Sequence, residues 1–204
     1  IPIGYNVTAN SKLELDMINS SMIKSYSPVH FIGNEDDQII ISSSDSTGQG
    51  LLVLNTSQQS TLNHVNFSNL SNPSRNDLIL TGAITFYEAD VLIKNCVFSN
   101  NIKGDDFLNI FRSKFNITNS SFNDILADAF DSDFCIGKVS NTSFVDIGND
   151  AIDISGTNIN INKILIDGVK DKGLSAGENS KIIASGIEIV NSEIAICSKD
   201  NSEV

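Results

Sequence analysis

Three short segments hold the residue types from which a chemical site could be built. They are Asp128-Ala129-Phe130-Asp131-Ser132-Asp133, Asp150-Ala151-Ile152-Asp153-Ile154-Ser155-Gly156 and Lys172-Gly173-Leu174-Ser175-Ala176-Gly177-Glu178, each beginning 22 residues after the one before. On that spacing Asp128, Asp150 and Lys172 fall in one column, and Asp131, Asp153 and Ser175 in another. Carboxylates brought together repel, so a cation neutralises them, a pKa rises, or solvent screens them. Three chemistries follow. Asp131, Asp133 and Asp153 could ligate calcium, the one cofactor this pattern admits. Asp128, Asp150, Asp131 and Asp153 could supply the two carboxyl groups of a glycosidase, retaining or inverting according to their separation. Asp131, Asp133, Asp153, Lys172 and Glu178 could bind a ligand without reacting with it. A lysine above two aspartates also relieves their repulsion with no metal.

Such a site exists only if the chain stacks on that period. Three apolar columns say that it does. Leu108, Phe130, Ile152, Leu174 and Ile196 recur every 22 residues, and Ile84 extends them upstream by 24. Ile93, Ile117, Val139, Ile161 and Ile183 form a second column, and Phe98, Phe122, Phe144, Ile166 and Ile189 a third. Between them lie two-residue alternations such as Ile159-Asn160-Ile161, which read as strand. Asn, Asp, Gly and Ser separate the strands, as turn formers do. No long helical stripe is present. The reading is all-β: a right-handed parallel β-helix of three short strands per coil of about 22 residues, with coils about 4.8 Å apart. Asn95, Asn119 and Asn141 are expected to form an inward asparagine ladder. Asn100, Asp124 and Asp146 form another polar column. Phe67 continues the Phe98 column after a longer step, the excess forming a loop from Asn69 to Asn76. The expected organisation is one domain over 1–204, with irregular coils over 1–66 and regular coils over 67–204, cut from a longer chain.

The coil period, the aromatic column and the asparagine column resemble right-handed parallel β-helix repeat proteins of the pectate-lyase-like superfamily. The resemblance spans Ile84 to Lys199 and points toward uncharacterised bacterial surface β-helix proteins. Within it, Asp128-Ala129-Phe130, Asn149-Asp150-Ala151 and Asp171-Lys172-Gly173 are similar to the successive active-site coils of polygalacturonase-type glycoside hydrolases. That likeness implies catalytic roles for Asp128 and Asp150. However, Ala151 stands where a second aspartate belongs and Lys172 where a histidine belongs, and no Arg-x-Lys is found near Ala195-Ile196-Cys197. A lyase would need a base, for which Arg112, Lys138 and Lys172 are the available groups.

Composition narrows the partners. The chain of 204 residues carries 25 acidic and 13 basic side chains, a formal charge of −12, so it lacks the basic stripe of a nucleic-acid groove. No apolar run approaches a membrane span. Its three cysteines fit neither a disulfide framework nor a zinc site, and His30 and His64 stand far apart. Tyr87 and Phe111 follow inward positions closely enough to lie outside and touch a sugar. The expectation is a secreted or cell-surface module without catalysis, a spacer or a binding surface for polysaccharide or a surface protein. The alternative is a polysaccharide hydrolase or lyase using the stacked aspartates.

Overall fold

A computed structural model describes residues 1–75 and 78–204. Among these no helix occurs, and the chain winds as a parallel β-solenoid of about 8 turns of about 23 residues each. Each turn lays one strand on each of three faces. The first turn already does so, with Val7–Asn10, Glu14–Asp16 and Ile23–Ser25, each paired in parallel with the turn above.

The pairing register turns sequence columns into interior stacks. Face one stacks Ala9, Phe31, Leu62, Ile93, Ile117, Val139 and Ile161. On face two the stack is Leu15, Ile41, Phe67, Phe98, Phe122, Phe144, Ile166 and Ile189. Face three stacks Ile23, Leu51, Ile84, Leu108, Phe130, Ile152, Leu174 and Ile196. The Phe67, Phe98, Phe122 and Phe144 rings lie nearly parallel with centroids 4.6–5.4 Å apart. Offset stacking of this kind adds to the burial of each ring. The long step from Phe67 to Phe98 is an excursion in which Ser74–Arg75 and Leu78–Ile79 form a small antiparallel pair. Asn76, the last residue of the expected loop, lies outside the described residues.

One expected column slips. Ile161 pairs with Ala184, not Ile183, which stands opposite Asn160 and is exposed. The cause is the preceding corner. The five preceding turns round it on a single left-handed residue, but here Glu178 (φ 57°) and Asn179 (φ 62°) are both left-handed, which adds one residue to the turn.

From Asn55 onward left-handed residues mark each corner, whereas the corners at 26–28 and 33–38 have none. After face one they are His64, Asn95, Asn119, Asn141, Lys163 and Gly186; after face two, Asn69, Asn100, Asp124, Asp146, Gly168 and Asn191. After face three the column is Asn55, Glu88, Arg112, Phe134, Gly156 and Glu178. Asn and Asp tolerate this conformation best among side-chain-bearing residues, which explains their spacing. The asparagine column is therefore not an inward ladder. Asn119 and Asn141 are exposed, and the amide rungs are Asn119 donating to Asn95 at 3.3 Å and Asn95 donating to Asn63 at 3.0 Å. Backbone conformation selects Asn here, not burial.

Just beyond the third corner runs a ladder that is buried. The Ser113 hydroxyl accepts the Ala89 N–H at 2.8 Å, the Cys135 thiol that of Ser113 at 3.4 Å, and the Thr157 hydroxyl that of Cys135 at 2.9 Å. Ser180 accepts from Thr157 at 3.1 Å, and Ser202 from Ser180 at 3.0 Å. Corner N–H groups that miss the sheet are satisfied this way. All three cysteines are free, and Cys135 serves as a member of the ladder. Cys135→Ser is expected to keep full stability. Cys135→Val, which strands the Ser113 N–H, should lose about 1–3 kcal/mol in urea unfolding. Phe122→Ala, at the centre of the aromatic stack, should lose about 3–5 kcal/mol in the same measurement.

Candidate functional site

Face three carries the residues with chemical potential. Its outward column pairs Thr85, Asn109, Asp131, Asp153, Ser175 and Cys197 on successive turns. Strand alternation aims these side chains away from the core. Yet Thr85, Asn109 and Ser175 are buried, and Asp131 and Asp153 are half-buried. We call this half-sheltered column the trough. The Tyr87, Phe111 and Asp133 column lies on one side of it in sequence, and the Asp106, Asp128 and Asp150 corner on the other.

The corner aspartates are taken up by the scaffold. Asp128 Oδ1 accepts the Asp150 N–H at 2.8 Å and the Asn149 side-chain amide at 2.6 Å. Asp150 Oδ1 accepts the Lys172 N–H at 2.9 Å. Lys172 Nζ closes the column 3.3 Å from Asp150 and also pairs with Asp171. Burial pushes the Asp128 carboxyl up to about 6 against these hydrogen bonds. It also raises Asp150, opposed by the Lys172 N–H and ammonium. Lys172 itself rises, chiefly through its bond to Asp171.

The trough aspartates behave differently. Asp131 accepts a single side-chain bond, from Asn109 Nδ2 at 2.8 Å. Burial first, and then the charges of Asp106, Asp133 and Asp153, push its carboxyl up to about 9. Asp106 is pushed up to about 7, mainly by burial, with Asp128, Asp105 and Asp133 adding to it. Asp133 is raised by burial, with Asn109 opposing. A buried carboxyl among carboxylates keeps its proton at neutral pH and becomes a donor. Two buried oxygens here have no partner, Asp106 Oδ2 and Ser175 Oγ. Unsatisfied groups of this kind mark strain or a role in function.

Of the sequence-predicted residues, the structure brings Asp131, Asp133 and Asp153 onto one face with Asp153 directly above Asp131. Asp128 and Asp150 adjoin them at the corner, and Lys172 caps that column. Glu178 stands on the exposed third corner, where its charge reaches Asp133. No group of three or more His, Cys, Asp or Glu side chains among the described residues is arranged to hold a metal ion. Lys138 is on face one, away from the trough. Sequence reasoning missed Asp106 and Asn109. They stand 22 residues before Asp128 and Asp131, so carrying the column down one more turn would have found them.

An aromatic strip borders the trough. Tyr87 and Phe111 stack at 5.1 Å with planes 5° apart, and Phe134 meets Phe111 edge-on at 5.7 Å. Arg112 lies 5.0 Å from the Phe111 ring and 3.7 Å from Glu88. Phe134 is left-handed and 52% exposed, and the ring packs where a Cβ on Gly156 would stand 2.6 Å away. A glycine is needed on that rung.

No family model matches the chain, and no curated protein matches it. Among solved structures, an alginate lyase from Paenibacillus sp. str. FPU-7 aligns over 98% of this chain and 92% of its own. That alignment has 9% identity and a TM-score of 0.32.

The raised carboxyls fix the sign of a pH effect. In the folded protein Asp131, Asp106 and Asp128 hold protons at pH values where the unfolded chain, with carboxyls near 4, has lost them. Their contribution is full below about pH 4 and is lost as pH rises through the folded values. The thermal midpoint should therefore fall between about pH 5 and 9. An Asp106→Asn/Asp131→Asn double variant should flatten that fall and be the more stable protein at pH 8.

Proposed function

We propose that the chain is an extracellular or cell-surface solenoid module that holds a neutral glycan along the third-face trough without turning it over. One observation carries this reading: Asn109, Asp131, Asp153 and Ser175 stand on four successive rungs in a half-sheltered column. Asn109 and Ser175 are buried, and between them the partly exposed carboxyl groups of Asp131 and Asp153 are suited to sugar hydroxyls. The net charge of −12 disfavours polyanions. Tyr87 and Phe111 spend ring faces on each other, so Phe134 is the aromatic left to meet a ligand. The corner aspartates support binding over catalysis, because their oxygens already serve the backbone of the next turn.

A specific observation favours a second reading. Asp131, whose carboxyl keeps its proton, lies one rung below the Asp153 carboxyl group, and two carboxyl groups on adjoining rungs are what a glycoside hydrolase uses. One experiment separates the two. Neutral and acidic polysaccharides are incubated with the protein, and retention in affinity gels is measured beside reducing ends and unsaturated product. Binding without product is expected, weakened about tenfold, or 1.4 kcal/mol, in Asp131→Ala. Reducing ends formed without unsaturated product, and lost in a folded Asp131→Asn variant, would make the protein a hydrolase. Asp150→Asn is the wrong probe, since it removes the buried charge that pairs with the Lys172 ammonium and so disturbs the corner.

A further inference from the structure

A second concavity lies far from the acidic trough, on face one of the first turns. Its volume is about 800 Å³, within the range of small-molecule sites. The lining includes Tyr5, Tyr26, Asn6, Asn55, Gln58 and His30. None of its lining residues is Asp, Glu, Lys or Arg, although charged residues make up 19% of the chain.

The backbone is shaped to make this groove. Thr56 pairs with Ala89 and Ser60 with Val91, so Ser57, Gln58 and Gln59 stand opposite the single residue Asp90. This bulge raises a lip on one side. Bulges re-aim side chains and occur next to sites. The other wall is the opening segment, held by the Tyr26 N–H donating to the Ile1 carbonyl at 2.9 Å and the Tyr5 N–H donating to Ser27 Oγ at 3.0 Å. Lys24 Nζ lies 5.3 Å from the Tyr26 ring and steadies it. Tyr5 is 62% exposed. The Ser27 and Thr56 hydroxyls donate to the Pro2 and Gln58 carbonyls, which leaves phenols, amides, an imidazole and the Thr8 and Ser57 hydroxyls to meet a ligand.

We infer that this groove is a binding site for a short neutral oligosaccharide, separate from the third-face trough. Aromatic rings take the apolar face of a sugar ring, and side-chain amides take its hydroxyls. An uncharged lining in an acidic protein gives no grip on an ionised ligand. A peptide cannot be added as a strand to Val29–Ile32, which is paired on both edges, with Val7–Asn10 and with the end of Leu51–Asn63. This inference goes beyond the trough reading and stands without it.

The test is titration calorimetry of the whole chain with cellotriose, mannotriose and maltotriose, with trigalacturonate as the charged comparator. At least one neutral trisaccharide should bind, about tenfold or more tighter than trigalacturonate. Tyr5→Ala and Gln58→Ala should each weaken it about tenfold, while Lys138→Ala, exposed on a later turn and outside both sites, leaves it unchanged. Both groove substitutions are at exposed positions, so folding is checked simply by the thermal midpoint. Binding of no neutral trisaccharide would overturn the site, as would affinity that survives both groove substitutions. Loss confined to Phe134→Ala or Asp131→Asn would overturn the groove and leave the trough reading standing.

Discussion

The parallel hydrogen-bonded register between turns is the constraint from which everything else in this molecule follows. Each rung must return to the same three faces after one circuit, so each circuit must turn the chain three times within about 23 residues. One left-handed residue per corner does this in the smallest space. Asn, Asp and Gly therefore recur at the corners, and hydroxyls or a thiol follow the third corner to collect the N–H groups that the bend leaves behind. Once the corners repeat, every other column is set. Apolar residues stack inside, and any polar residue is multiplied into a column outside.

That multiplication explains how aspartates far apart in sequence meet, and why they differ on meeting. At the corner, a carboxylate sits under the N–H of the next turn and is stabilised by it, so Asp128 and Asp150 are part of the hydrogen-bonded frame. Three residues further on, Asp131 and Asp153 have no such donors, since the strand N–H groups there are consumed by the sheet. The repulsion is relieved instead by the proton that Asp131 keeps. A spacing of 22 therefore yields a structural column and a chemical one side by side. Asp106 belongs to both, as the lowest corner aspartate and as a neighbour whose charge Asp131 feels, and its unpartnered Oδ2 is the cost of that position.

The stacks were legible in the sequence because burial acts on side-chain type, and side-chain type is what a column displays. Leu108, Phe130 and Ile152, or Phe98, Phe122 and Phe144, announce themselves. Corners were legible in position but not in meaning: Asn95, Asn119 and Asn141 looked like an inward ladder, whereas the backbone angle selects them. Phe134, Arg112 and Glu88 have no compositional mark of a left-handed corner and were invisible as such. The slip at Ile183 was hidden because an isoleucine stood at the expected spacing while the extra corner residue had moved the register. Asp106 and Asn109 could have been read from the same arithmetic as Asp128 and Asp131. The groove could not, since its bulge and opening segment break the repeat on which the reading relied.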